Sequence, residues 1–258
     1  MKLDDIINKN YASIEQKIVL PPKNQTTQGI KIIVEAYKKL EEYKTSDFEN
    51  KIDLHQRYTY LRKKIINKMD IKNIFPDEIT QFSSLLTEFK DRPFFLITGL
   101  FLSALINYHH EKTRYEGTYT LLMNDLPVEL DFVGFYNKSN LHIIGNLGKY
   151  TCHTMSKGTV FIEGNTSLFL GTAMSGGIIS LHGETGEILC PNMMGGKVTI
   201  HKTAKKGIGY QMEGGTIELL GTYQEISPSC EYGTIIHQGK IIFHKEKHWY
   251  RKMIEWCI

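Results

Sequence analysis

The sequence predicts an α+β fold. A mostly helical first part, residues 1–135, precedes a parallel β-helix over residues 136–246, and a short helix over residues 247–258 caps the end. Three observations predict this: a phrase repeated every 19 residues in the second half, helical spacing of apolar residues in the first half, and one more amphipathic stretch at the end.

The repeated phrase is Met-x-x-Gly-x-[Val/Ile]-x-[Ile/Leu]. It is opened by Met155, Met174, Met193 and Met212, with Gly158, Gly177, Gly196 and Gly215 at its fourth position. Two apolar residues in period-2 alternation after a glycine describe a short strand leaving a tight corner, and a fixed period makes each copy one coil of a solenoid. A fifth copy lies 19 residues before Met155, where Tyr136 leads into Asn140-Leu-His-Ile-Ile-Gly145 with Ser139 in place of the glycine. Downstream the period fails at Glu231, and Gly239-Lys-Ile-Ile-Phe243 is expected to form a sixth coil after an inserted loop, Tyr223 to Cys230. Six coils stacked roughly 4.8 Å apart give a rod about 24 Å long.

In the first half, apolar residues fall at helical spacing over Leu3 to Ile18, Thr27 to Lys44 and Asp47 to Met69, with Thr27 and Asp47 as candidate N-caps. A fourth helix is expected from Pro76-Asp77-Glu78, where proline and acidic residues suit a helix N-terminus. Pro93 to Ile106 is apolar on nearly every face, marking a buried helix in which Gly99 and Ala104 permit close approach. Gly117-Thr-Tyr-Thr-Leu-Leu-Met123 and Val128-Glu-Leu-Asp-Phe-Val-Gly-Phe135 have strand character and lead toward the first coil. Open solenoid ends expose unpaired strand edges, so each end needs a lid. The helical part supplies one, and Trp249, Met253, Trp256 and Cys257, at i, i+4, i+7 and i+8, supply the other.

Composition narrows the function classes. With 41% hydrophobic residues, 23% charged residues and a net charge of +3, the chain is ordinary for a folded soluble protein. It lacks the clustered basic surface of a nucleic-acid binder, so no nucleic-acid partner is expected. The N-terminus has no secretory apolar core, and Pro93 to Ile106 is too short to cross a bilayer, so the expected location is cytoplasmic, with no membrane partner. Four cysteines without a Cys-x-x-Cys pair argue against zinc ribbons, iron–sulfur sites and redox motifs. Cys152 and Cys190 sit two coils apart, about 9.6 Å by the stacking distance, too far for a disulfide. They are expected to be small core residues.

Alternation directs Val160, Ile162, Ile179, Leu181, Val198, Ile200, Ile217 and Leu219 inward. An outward column then runs Ile144, Glu163, His182, His201, Leu220, His244, placing Glu163, His182 and His201 on consecutive rungs. Two imidazoles and a carboxylate are a sensible ligand set for zinc or ferrous iron, although a flat column offers no enclosure. Cys152-His153 invites a nucleophile-and-base reading, but neighbours on an extended strand point apart. Lys205-Lys-Gly-Ile-Gly209 lacks the spacing and strand-to-helix context of a phosphate loop. No catalytic residue and no cofactor site is expected.

The runs Met155-Ser-Lys-Gly-Thr-Val-Phe-Ile-Glu-Gly, Gly171-Thr-Ala-Met-Ser-Gly-Gly-Ile-Ile-Ser-Leu-His-Gly and Met212-Glu-Gly-Gly-Thr-Ile-Glu-Leu-Leu-Gly resemble the Gly-x-Gly-x-Gly β-helix domain, found in one of the subunits of formylmethanofuran dehydrogenase and at the C-terminus of the glutamate synthase large chain. The resemblance covers residues 136–243. It implies a right-handed β-helix that holds other domains or subunits in place without catalytic residues of its own. Departures are Lys202 where other coils close with glycine, Cys152 and Cys190 at the place of Gly171 and Gly209, and a first half that matches neither enzyme. The functional expectation is a non-catalytic interaction scaffold whose partners are other protein subunits or a second copy of itself. Two alternatives stand beside it: membership of a formylmethanofuran dehydrogenase-type or other oxidoreductase complex, and a metal-dependent enzyme using the Glu163, His182, His201 column.

Overall fold

The computed structural model describes residues 27–42, 53–89 and 95–247: a helical region followed by a parallel β-solenoid of about six turns. The expected helix over Leu3 to Ile18 and the C-terminal cap lie outside the described residues. Eight strands form one sheet in chain order, β1 (Thr118–Leu122), β2 (Asn140–Ile144), β3 (Thr159–Glu163), β4 (Ile178–Leu181), β5 (Lys197–Ile200), β6 (Glu213–Leu219), β7 (Tyr232–His237) and β8 (Lys240–Lys245). From β1 to β7 every pairing is parallel. The register steps by 19 residues from Leu141 to Val160, Ile179, Val198 and Ile217, so residues one period apart sit over one another. A second stack on another side of each coil joins Leu130, Leu147, Thr166, Thr185, Ala204 and Tyr223.

Stacking at this distance explains the repeated phrase. Met155, Met174, Met193 and Met212 are fully buried, and each ends beneath the glycine that opens the next coil's strand. A Cβ placed on Gly177, Gly196, Gly215 or Gly233 would lie 2.6, 2.6, 2.7 or 2.6 Å from the Cε of the methionine one coil earlier. Gly177 and Gly196 also have φ of +88° and +89°, a left-handed conformation that costs a side chain roughly 1–2 kcal/mol. The methionine fills the volume that the missing side chain leaves. All eight residues expected to face inward are buried, none more than 1% exposed.

A third side of the coil is built from alternating left-handed residues. In four successive turns three positions two apart have positive φ: Tyr150, Cys152 and Thr154; Phe169, Gly171 and Ala173; Ile188, Cys190 and Asn192; Gly207, Gly209 and Gln211. Alternation turns successive N–H groups toward opposite neighbours. The N–H groups of Tyr150 and Thr154 donate to the carbonyls of Leu168 and Thr172 in the next coil, whereas that of Cys152 donates to Val133 in the previous one. The outer side chains stack as well: the Phe132, Tyr150 and Phe169 rings lie parallel at 5.3 and 4.7 Å.

Two expectations about the last coil are corrected. Gly239 to Phe243 is not a sixth coil, because β8 turns back and pairs antiparallel with β7. Tyr223 to Cys230 is not an inserted loop: Tyr223 and Ile226 bridge to Ala204 and Ile208, the corner of an ordinary coil. That coil ends in β7, whose register on β6 shifts between Glu213 and Thr216, so its glycine, Gly233, follows Met212 by one residue fewer than the period requires. At the other end the stack begins with β1, ahead of the first coil expected from the repeat.

The helical region is a lid on β1. Its helices are α1 (Gln28–Lys38), α2 (Leu54–Lys64), α3 (Pro76–Leu85) and α4 (Phe95–Thr113). Thr27 caps α1 as expected, its hydroxyl accepting from the Ile30 N–H. The buried Glu78 carboxylate of α3 accepts from the Thr27 hydroxyl and from the Phe75 N–H at 2.8 Å, holding the starts of α1 and α3 together. Tyr37 packs edge-on against Phe82, Phe89 and Phe101. On the solenoid side, the buried Ser83 hydroxyl of α3 accepts from the Leu122 N–H at 2.8 Å, pairing a donor of the first strand. In α4, Ser103 donates to the Phe132 carbonyl and accepts from the Gly134 and Phe135 N–H groups, and Asn107 donates to the Phe135 carbonyl. Gly99 allows this approach, since a Cβ there would lie 1.8 Å from the Asp131 carbonyl oxygen. Among the described residues no helix is long and apolar enough to cross a membrane.

Two glycines separate backbone strain from crowding. Gly239, φ +78°, has open space where a Cβ would go, whereas Gly196 has Met174 and the Gly177 carbonyl there. Gly239→Ala is expected to lose about 1 kcal/mol and Gly196→Ala about 3 kcal/mol or more, read from denaturant midpoints at constant slope. Equal losses would remove the methionine-under-glycine packing as the cause of the repeat.

Candidate functional site

The outward column nominated by the sequence lies on the exposed face of β3 to β5. Glu163 is the last residue of β3, and His182 and His201 directly follow β4 and β5, where their N–H groups donate to the Ile162 and Leu181 carbonyls of the preceding coils. The two imidazoles stack face to face with centroids 3.7 Å apart and planes 28° apart, and the Phe161 ring meets His182 edge-on at 4.6 Å. Stacked rings direct their nitrogens along nearly parallel lines, so they do not converge on one ion. Glu163 turns instead to His142, a rung earlier and 3% exposed, with Oε1 2.6 Å from Nε2. His201 Nε2 pairs with the Ser180 hydroxyl at 3.2 Å. Beside them Lys197 and Glu218 form an ion pair at 2.6 Å. His244 leaves the column altogether, because β8 reverses and places it opposite Thr234, 3.0 Å from that hydroxyl. Among the described residues no three His, Cys, Asp or Glu groups are arranged to hold a metal ion.

Burial holds these imidazoles neutral. His182 is pushed down to about 4 by desolvation and by His201, against the opposing pull of Glu163. His201 is lowered as well, again by desolvation.

The nucleophile candidates are inert. Cys152 and Cys190 are fully buried, with no accessible surface, and desolvation lifts the Cys152 thiol to about 12 and the Cys190 thiol upward too. They belong to an interior column in which glycine and cysteine alternate. A Cβ on Gly134, Gly171 or Gly209 would lie 3.0 or 3.1 Å from the sulfur of Cys152, Cys190 or Cys230 respectively. They are the small core residues that the sequence suggested. Gly207 and Gly209, of the Lys205 to Gly209 run, are two of the left-handed positions of the third side.

The structure brings together one cluster that the sequence did not announce. Tyr136 and His153, from consecutive solenoid corners, meet His55 of α2. The Tyr136 hydroxyl lies 2.5 Å from His55 Nδ1, and the His55 and His153 ring centroids are 5.9 Å apart. His153 stacks on Phe135 at 5.2 Å, and its Nδ1 is buried without a hydrogen-bond partner. Desolvation, helped by His55 and opposed by Asp53, pushes His153 down to about 4. Residues so far apart in the chain give no local signal. Only the expectation that the helical region closes one end of the solenoid pointed to this junction. A further concavity lies on the helical region, floored by Ile32, Ala36, Ile65 and Met69 and rimmed by charges of both signs, Glu35 and Asp70 with Lys39, Lys64 and Lys68.

Compared with protein-family profiles, with curated proteins and with solved structures, the chain matches none of them.

The half-buried histidines and the buried threonines have measurable consequences. His153 and His182 are neutral in the folded state down to about pH 4, whereas in the unfolded chain they take a proton near pH 6.5. The unfolded state therefore binds more protons below pH 6.5, and stability falls as pH drops from 6.5 toward 4. Thermal midpoints measured across that range should decline, and His153→Phe with His182→Gln should flatten the decline. The Thr166 and Thr185 hydroxyls, stacked on adjacent coils, are buried without partners. Thr185→Val should leave stability unchanged or raise it by up to about 1 kcal/mol, and a loss of similar size would show that the hydroxyl is satisfied.

Proposed function

We propose that the chain is a non-catalytic protein-interaction scaffold: a helical domain that anchors one end of a β-solenoid whose long sides hold other protein subunits or a second copy of the chain. The observation that carries this reading is the state of the reactive side chains. The imidazoles of the outward column stack on each other or pair with Glu163 and Ser180, and the interior thiols are buried, so these groups support packing and do not face a common cleft. Large side chains are exposed on one corner. Met194 is 53% and Tyr210 41% exposed, and the Tyr210 carbonyl accepts from the N–H of Asn192, two residues before Met194. Exposed methionine and tyrosine are the residue types that interfaces favour.

The same reading places the solenoid with the Gly-x-Gly-x-Gly β-helix domain, wound right-handed, with a lid at the far end formed by residues 247–258. The left-handed positions two apart, repeated from coil to coil up to Gln211, support the relationship, because that backbone is one in which glycine carries no steric cost. Gly207-Ile-Gly209 supplies the first two glycines of the pattern, and Gln211 stands at the third. On this basis a place as a non-catalytic component of an oxidoreductase complex is the second reading, and co-purification with a molybdenum- or tungsten-containing subunit would favour it. A cytoplasmic location is part of the same proposal.

The test is capture of the intact protein from its native cell, alongside mass measurement of the purified protein over a wide concentration range. A stoichiometric protein partner or a defined oligomer, lost in Met194→Lys with Tyr210→Lys while far-ultraviolet circular dichroism is unchanged, is the expected result. A concentration-independent monomer with no partner, or turnover on a small metabolite, would overturn the reading.

A further inference from the structure

The helical region meets the solenoid through two kinds of contact. α3 and α4 bond the first coils through Ser83, Ser103 and Asn107, whose hydroxyl and amide groups do not titrate in acid. α2 is seated on rings instead. Its Tyr58 lies 5.2 Å from Phe135 and 5.4 Å from Tyr136, and its His55 lies 5.6 and 5.4 Å from the same two rings. His153, from the next corner, completes the seat, stacked on Phe135 at 5.2 Å and 5.9 Å from His55. At its other end α2 is held differently, by two bonds from the Arg62 guanidinium to the Glu111 carboxylate of α4 at 2.7 and 3.2 Å.

We infer that the ring seat is an acid-sensitive latch: a proton taken up by His153 frees the N-terminal turns of α2 from the solenoid corners, while the solenoid and the α3 and α4 contacts stay formed. The seat makes no provision for a charge. His153 Nδ1 is buried without a hydrogen-bond partner, so the imidazolium would be a buried charged donor with no acceptor. The groups that face this ring do little to help. From the preceding corner come Phe135 against its face and Tyr136, whose hydroxyl is engaged by His55. Tyr150 of its own corner meets its edge at 5.9 Å. From α2 come His55, a second imidazole, and Asp53, an exposed carboxylate one residue ahead of the helix. Asp53 alone favours the charged ring, and its pull is weaker than burial and weaker than the opposing influence of His55. The Arg62–Glu111 pair supplies the pivot. Arg62 holds the Glu111 carboxyl below the usual carboxylate range, so this pair persists in acid that protonates a free imidazole.

Hydrogen exchange of the full chain, read by mass spectrometry and corrected for the intrinsic pH dependence of exchange, tests the latch. The probes are the α2 amides of residues 57–61, compared with those of β3 to β5. His153 titrates at about 4 in the seat and near 6.5 once free, so the opened population of α2 should rise about 20-fold from pH 7 to pH 5. The strand amides should stay unexchanged over the same labelling time. His153→Phe keeps a ring on Phe135 and should abolish the rise. Asp53→Asn, which alters no packing in the seat, should steepen it by removing the one group that favours the charged ring. Exchange of α2 that ignores pH would overturn the inference, as would α2 and β3 to β5 exchanging together, which is global unfolding. So would an undiminished rise in His153→Phe or a shallower one in Asp53→Asn, and the second variant decides the matter if the first does not fold. None of these results bears on partner capture through Met194 and Tyr210, so failure here and failure of the scaffold reading are separable.

Discussion

The constraint on which the rest of the molecule depends is the distance between coils. Backbone hydrogen bonding between parallel strands sets neighbouring coils roughly 4.8 Å apart, too close for a methionine that reaches under the next coil and a Cβ above it to share the same space. Something must yield in every coil. In this chain it is the Cβ of the glycine that opens each strand, and the methionine of the preceding coil occupies the space. Methionine suits the task because its unbranched thioether adapts to a narrow channel that a β-branched residue would not enter. The interior column of alternating glycine and cysteine applies the same rule on the third side of the coil. There a thiol-bearing residue is accommodated only where the coil before it has no side chain.

A stack that satisfies each coil through its neighbours leaves both ends unsatisfied, and this is why a helical region belongs to the molecule. Ser83, Ser103 and Asn107 lie on apolar helices yet are almost fully buried, which would be costly without partners. Their partners are the backbone groups that the first coil would otherwise present to solvent. The polar residues inside these helices are therefore part of the solenoid's hydrogen-bond ladder. Gly99 inside α4, a poor choice for an isolated helix, is required by the approach to the Asp131 carbonyl.

What could be read from the sequence was whatever repeats. The strands, their inward residues and the buried methionines follow from a 19-residue period, and the packed helices of the first part from theirs. The end of the stack was misread for a specific reason. The shift on β6 between Glu213 and Thr216 drops a residue, Glu231 stands where a methionine would mark the coil, and Gly239 to Phe243 imitates the strand template although it is the returning arm of a hairpin. A period search accepts the imitation and misses the shifted coil. The outward column was placed in the right rungs at Glu163, His182 and His201, but spacing along a stack says nothing of ring orientation. The stacked imidazoles and the His142–Glu163 pair are side-chain choices that no pattern encodes. The His55, Tyr136 and His153 cluster depends on where one helix lands on the solenoid, a tertiary fact without a local signature.

The same geometry bears on what this surface can do. On a solenoid, equivalent side chains are held side by side, so groups of one kind form ladders along the stack instead of facing each other around a pocket. Catalysis and metal binding require convergence from several directions, and a ladder provides parallel display. Neutral histidines that stack on one another, and carboxylates that meet a cation or an imidazole one rung away, are the low-energy outcome of parallel display. Parallel display is well matched to a long, regular contact with another macromolecule, where many modest contacts add along a line. On the proposed scaffold reading, exposed residues that break the ladder, such as Met194 and Tyr210 at one corner, are where specificity for a partner would reside.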